Sequence, residues 1–180
     1  QPNDFLHQSL KCREEQINFF DDRIKNNPQQ RQAVTMIVHG ISSPAPYILF
    51  GPPGTGKTLT LVEAIKQVYR RDPTSRILIC SPSNSCSDVL TEKIMEDVSE
   101  QDILRVNAVS RRDADIPSKI KRVCNTEGNS ALHSVEGDHF SRRVIVTTYI
   151  SAARVVSKQD SNKKETKITH IFLDECGHAH

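Results

Sequence analysis

The run Gly51-Pro-Pro-Gly-Thr-Gly-Lys-Thr58 places a lysine and a hydroxyl directly after a glycine-rich turn. It satisfies the pattern G-x-x-x-x-G-K followed by Ser or Thr, whose physics is the capture of an anion. Gly51, Gly54 and Gly56 let the backbone bend until successive amides point inward, with Pro52, Pro53 and Thr55 completing the cradle. A helix starting near Gly56 would add the positive end of its dipole to a β-phosphate. Lys57 is predicted to reach the β- and γ-phosphates, and the Thr58 hydroxyl to ligate Mg²⁺. Far downstream, Ile171-Phe-Leu-Asp-Glu175 ends an apolar run in two carboxylates. Asp174 is expected to hold the Mg²⁺ through water and Glu175 to polarise an attacking water. Alone, an Asp-Glu pair after a strand is the ordinary start of a solvated loop; the phosphate cradle upstream is what gives it chemistry. The combination predicts hydrolysis of ATP, with Lys57, Asp174 and Glu175 as catalytic groups acting on one triphosphate and its magnesium.

Such groups need elements to position them. Four short apolar runs read as buried strands: Tyr47-Ile-Leu-Phe50, Ile77-Leu-Ile-Cys80, Val144-Ile-Val-Thr147 and Ile171-Phe-Leu173, with Ile103 to Val106 a weaker fifth. Helical spacing follows the first two, through Val62, Ile65 and Tyr69 and then Leu90 and Ile94. Asn27-Pro28 reads as a helix start, with Asn27 as the cap and Pro28 in the first turn; Ala33, Val34, Ile37 and Val38 continue it until Gly40 to Pro46 break the pattern. Apolar strands alternating with helices predict a parallel sheet covered on both faces, a three-layer α/β fold of the P-loop NTPase kind. Strand ends are where open sheets of this class bind ligands, which suits Asp174 and Glu175. The stretch 110–143 fits least well and reads as an insertion or extended loop with a short helix. Ser157 to Thr166 reads as a polar, Lys-rich loop, and residues 1–25 as a lead-in that holds a short packed helix or a linker.

Composition bounds the class. With 180 residues, 36% of them hydrophobic and 26% charged, the chain suits one sizeable core. No stretch approaches the roughly 20 apolar residues that span a bilayer, and no signal-peptide pattern opens the chain. The missing initiator methionine predicts a piece of a longer protein. A net charge of +2 is too small to argue for nucleic acid. Five cysteines at irregular spacing predict reduced thiols and a cytoplasmic protein.

Several of these residues also resemble the motifs of superfamily 1 up-frameshift-like RNA helicases, in particular the branch containing the Moloney leukemia virus 10 helicase and Armitage. Asn27-Pro-Gln-Gln30 looks like the glutamine motif, and Pro44 to Thr58 like motif I with this branch's lead-in. Ser81-Pro-Ser-Asn-Ser85 resembles motif Ia, Val146-Thr-Thr148 motif Ic, and Asp174-Glu-Cys-Gly177 motif II, with Cys176 where many relatives carry Ala. The resemblance implies that residues 26–180 form the first RecA-like domain and that a second RecA-like domain in cis supplies the arginines missing here. It implies that Gln30 reads the adenine edge; without it, Gln30 is a helix-surface glutamine. It implies that Ser81, Pro82, Ser83, Asn84, Thr147 and Thr148 line single-stranded RNA. Short hydroxyl and amide side chains can bond its backbone without reading bases. Ser83 and Asn84 would serve equally as helix caps, and the two roles are compatible. A role in RNA silencing or decay, with protein partners from such complexes and ribonucleoprotein granules as a candidate location, is implied in the same way. The chain without its second half is expected to hydrolyse ATP very slowly.

Other readings stay open. An AAA-type ATPase shares the phosphate loop, and a non-catalytic interaction module would use the basic stretch or the polar lead-in. Arg111, Arg112, Lys119, Lys121 and Arg122 suit a solvated, flexible face better than a strand-binding patch. Cys176, His178 and His180 make a poor zinc set, because alternate residues on one strand end do not form a tetrahedron.

Overall fold

The computed structural model describes residues 11–108, 110–125, 142–161 and 167–175. They form two compact units, one ending at Arg71 and one beginning at Asp72.

The first unit is helical. Helix α1 spans Asp22–Lys25, α2 Pro28–Val38 and α3 Lys57–Arg71. The start of α2 is the one the sequence predicts: Asn27 Oδ1 accepts from the amides of Gln29 and Gln30 at 3.1 and 3.3 Å, and Pro28 sits where no amide partner is needed. Its end is a Schellman turn. Gly40, at φ +58°, donates to Ile37 O at 3.1 Å while Ile41 donates to Met36 O at 3.0 Å. Helix α3 buries Leu61, Val62, Ala64, Ile65 and Val68 and packs on α2 and α1, where Ala33, Val34 and Ile24 are buried.

The lead-in is strapped to α3 by polar bonds. Buried Glu63 accepts the amides of Phe20 at 3.0 Å and Asp21 at 3.1 Å, and Gln67 Nε2 donates to Asn18 O at 2.8 Å. The Phe20 ring lies under the Arg70 guanidinium, 4.3 Å from ring centroid to carbon. Tyr47–Phe50, predicted as a strand, is not one. Its residues carry no strand in the first unit, and Ile48 and Phe50 are 79% and 93% exposed. An apolar run becomes a strand only where a neighbour takes its amides and carbonyls, and periodicity does not report on that neighbour.

The second unit is a wholly parallel sheet of four strands: β1 Ile77–Ser81, β2 Ile103–Arg105, β3 Val144–Thr148 and β4 His170–Leu173, in the order β2-β3-β1-β4. The register pairs Leu78 with Ile145 and Ile171, so each sheet face draws alternate residues from every strand. On one face Leu78, Cys80, Leu104, Val106 and Ile145 form a core with Val155, Tyr149 and Ala152 of α5, which spans Tyr149–Ser161. Helix α4, Asn84–Ile94, buries Leu90 and Ile94 and packs on β1, β2 and β3. Ser87 and Asp88 of α4 reach Ser81 and Arg105, which belong to the opposite face, so the sheet lies between two helical layers. This is the three-layer α/β arrangement predicted from the alternation of runs.

One stretch differs from expectation. Residues 157–161, read as the start of a loop, continue α5, because no Gly or Pro interrupts them; residues 162–166 lie outside the described residues. Of the expected insertion 110–143, the described part holds two short 3₁₀ turns, Asp113–Asp115 and Lys121–Val123, and buries Ile116, Ile120 and Val123; residues 126–141 are outside the description.

Candidate functional site

In the first unit the phosphate loop runs from Gly51 into the first turn of α3. Gly54 and Gly56 stand at φ +79° and +81°, a region that side chains with a Cβ rarely adopt. A Cβ on Gly51 would meet Thr55 Oγ1 at 2.8 Å, so a side chain there would displace the Thr55 hydroxyl from its bond to Pro52 O. Lys57 Nζ folds back over the loop and donates to Gly51 O at 2.7 Å and Pro52 O at 2.9 Å. Thr55 Oγ1 donates to Pro52 O at 2.8 Å, while Pro53 is exposed at the tip and Thr58 half-buried in the first turn of α3. An ammonium bonded only to weakly basic carbonyls can exchange them for phosphate oxygens, and a helix N-terminus lies beside it. The donor set therefore fits a phosphate chain.

Gln30 faces the base of the same loop. Its Nε2 donates to Thr55 O at 3.2 Å and to Thr60 Oγ1 at 3.1 Å. That nitrogen stands 2.7 Å from where a Gly56 Cβ would be. The glutamine and the phosphate loop, 21 positions apart from Gln30 to Gly51, are thus brought together by the α2–α3 packing.

In the second unit the carboxyl ends of three neighbouring strands form one edge. Ser81 of β1 pairs with Thr148 of β3, and Cys80 with Leu173 of β4. One step further, Asp174 N donates to Cys80 O at 2.9 Å, which sets Asp174 level with Ser81. Asp174 is buried; Glu175 is exposed and has φ +52°, uncommon for a residue with a side chain and a form of strain that concentrates at working sites. The Tyr149 hydroxyl donates to the Asp174 carbonyl.

The hydroxyls expected at RNA divide into two groups. Ser81 Oγ and Thr147 Oγ1 are buried and engaged inside the fold, with Ser87 Oγ at 2.6 Å and Val106 O at 3.1 Å. Ser83 is exposed and caps α4, accepting from Cys86 N at 3.1 Å; Pro82 and Asn84 beside it are half-buried. Thr148 is buried like the first two, and its Oγ1 accepts from Ser151 N at 3.4 Å at the start of α5.

One cluster was not anticipated. Asp88, buried on α4, takes Arg105 Nε on Oδ1 at 3.1 Å and Arg111 Nη1 on the same oxygen at 2.9 Å, while Arg111 Nη2 bonds Oδ2. Arg105 Nη2 donates to Asn84 Oδ1 at 3.0 Å, and Arg111 Nη1 to Asn107 Oδ1 at 2.7 Å. Burial pushes the Arg105 guanidinium down from its ordinary value, against the pull of Asp88; for Arg111 the bond to Asp88 dominates and raises it. The available signal was Arg105 itself, a charge inside the apolar run Ile103 to Val106, which demands a buried acid. Arg111, half-buried as a residue but with a side chain only 7% exposed, is therefore an ion-pair partner and not the solvated surface charge expected of it. The four basic residues grouped with it in the sequence also face acids: Arg112–Asp115 at 2.9 Å, Lys119–Glu92 at 3.8 Å, Lys121–Asp113 at 2.7 Å and Arg122–Glu100 at 2.5 Å.

Cys176, Gly177, His178 and His180 lie outside the described residues, among which no group of three or more His, Cys, Asp or Glu could hold a metal. No helix of the described residues is long and apolar enough to cross a membrane.

Comparison with known proteins adds a family. The model of a family described as an AAA domain matches residues 25–176. The helicase-named protein MOV-10 of Gallus gallus is 41% identical over 166 residues, 91% of this chain and 17% of that protein. The helicase-named mov-10-B.2 of Danio rerio is 44% identical over 165 residues, 91% of this chain and 16% of that protein. RNA helicase Mov10l1 of Mus musculus is 40% identical over 156 residues, 85% of this chain and 12% of that protein. The chain thus spans 12–17% of the length of these relatives.

Proposed function

We propose that this chain, which belongs to the AAA-domain family and within it to the Moloney leukemia virus 10/Armitage branch of up-frameshift-like helicases, is the ATP-binding half of a motor that moves along single-stranded RNA. At the coarser level it is a helicase-family core domain with an α/β, RecA-like fold. The family's description alone would also suit an ATPase that remodels polypeptides; the helicase names of the relatives support the motor on nucleic acid.

In this reading residues 26–180 make up the first RecA-like domain, with 1–25 as its lead-in and 110–143 as an insertion. The amides of Gly51 to Gly56 and the Lys57 ammonium bind the phosphate chain of ATP, with Pro52, Pro53 and Thr55 shaping the loop, and Gln30 recognises the adenine edge. Thr58 and Asp174 are the residues that would hold Mg²⁺. The ion, when bound, screens the charge that builds up on the phosphates. Glu175 orients the attacking water and draws its proton. Of the six residues expected at RNA, the exposed Ser83 with Pro82 and Asn84 meets the RNA backbone most directly, and the buried Ser81, Thr147 and Thr148 brace that edge from inside the fold. A second RecA-like domain in cis supplies the arginines for phosphoryl transfer, and the whole protein acts in RNA silencing or decay in the cytoplasm.

One observation carries the reading: Asp174, directly after β4, lies level with the last residues of β1 and β3, with Glu175 one step beyond, at the edge where parallel α/β sheets bind ligands. The test is Lys57→Ala in the full-length protein, with ATP turnover measured with and without single-stranded RNA and the separate chain as the slow reference. RNA-stimulated turnover should fall by about 100-fold or more, as when one charge-stabilising donor is removed. Turnover equal to the unmodified protein would refute the motor and leave a docking module.

A further inference from the structure

We propose that Tyr149 is a positioning residue linking the carboxyl end of β3 to the Asp174–Glu175 peptide, so that nucleic acid held at β3 bears on the two carboxylates. The inference rests on the function proposed above and assigns a device within it. Strand β3 passes into α5 without a connecting loop, and Thr148 Oγ1 accepts from Ser151 N, so Tyr149 cannot move independently of Thr148. Its ring packs against the core formed by Leu78, Cys80, Leu104 and Val155. A phenylalanine would serve that packing equally. The hydroxyl has a separate use: it donates to the Asp174 carbonyl.

That carbonyl belongs to the peptide between the two candidate carboxylates. Its orientation sets the backbone entering Glu175, which stands at φ +52° and needs its surroundings to keep it there. On the other side of Asp174, its amide donates to Cys80 O at 2.9 Å. The peptide is therefore gripped from β1 through its preceding amide and from the β3–α5 junction through its carbonyl. Thr147 and Thr148, expected at RNA, immediately precede Tyr149. A shift of a few tenths of an ångström in that junction reaches the Glu175 backbone through one side chain with two rotatable bonds.

The test is Tyr149→Phe in the full-length protein, which removes one oxygen and keeps the ring. The first readout needs no ATP: amide hydrogen exchange at Asp174 and Glu175 with and without single-stranded RNA. RNA should slow exchange at both amides in the unmodified protein, and that response should be lost in Tyr149→Phe. The second readout is steady-state hydrolysis. RNA-stimulated kcat should fall about fivefold, the worth of one hydrogen bond. KM for ATP and RNA affinity should stay within about twofold, a split that a loosened fold would not give. A responsive unmodified protein with an equally responsive Tyr149→Phe would overturn the link alone, and so would an equal loss of kcat with and without RNA. An unmodified protein without RNA-stimulated turnover would overturn the function above and this link with it.

Discussion

Gly40 and Gly56 both need a left-handed backbone, yet the two positions differ in what surrounds them. A Cβ at Gly40 would have nothing within 4 Å, whereas one at Gly56 would lie 2.7 Å from Gln30 Nε2. Alanine at either position meets the same backbone penalty, about 1–2 kcal/mol. At Gly56 it must also push the Gln30 amide off Thr55 O and Thr60 Oγ1. Gly40→Ala should therefore lower the melting temperature and leave nucleotide affinity alone, while Gly56→Ala should lower both. Differential scanning fluorimetry with a fluorescent-nucleotide titration separates the two; equal nucleotide affinity in both variants would contradict the role given to Gln30. The residue scale is also where the sequence was most informative. Lys57, Gln30 and the loop glycines are close along the chain, and their local geometry follows from residue type.

At the scale of elements, Asp88 ties α4 to β2 and to the segment that follows β2. Two buried guanidiniums share one carboxylate, and Arg105 carries the tie on to Asn84 at the head of α4. Removing the carboxylate leaves both cations without their partner, which costs about 3–5 kcal/mol in a buried site. Asp88→Ala should show that loss in urea unfolding. Arg112→Ala, which breaks an exposed pair with Asp115, should change stability by about 0.5 kcal/mol or less. If the two variants unfold alike, the Asp88 cluster is not the clamp it is taken to be. None of its members is a neighbour in sequence. The sequence marked Arg105 as a charge in an apolar run, but its acid could be found only once α4 lay across the sheet.

Across the whole molecule, each unit holds a histidine with a depressed pKa. Burial lowers His39 on the first unit, and burial lowers His170 on the second, with Asp72 working weakly against it. A lowered value means the folded protein favours the neutral ring, while the unfolded chain takes up its proton near pH 6.5. Stability is therefore complete above that pH and is lost as pH falls toward the folded-state values. Melting temperatures recorded from pH 8 to pH 5.5 should decline across the lower half of that range, with a smaller decline in His39→Gln and in His170→Gln. A melting temperature that stays flat or rises on acidification would contradict this.

What the sequence determined by itself was everything carried by near neighbours. It determined the capped start of α2 at Asn27 and Pro28, the glycine-bounded phosphate loop opening α3, and the apolar runs of β1 to β4 with their α/β alternation. These follow from backbone sterics, capping and periodicity over a few residues, which act before the chain has a fold. Tertiary structure alone decided that the Arg111 side chain is enclosed beside Asp88 and that the Tyr149 hydroxyl meets the Asp174 carbonyl. Each of these depends on which distant group supplies the other half of a hydrogen bond or ion pair. That partner is chosen by strand order and register, which depend on the whole chain.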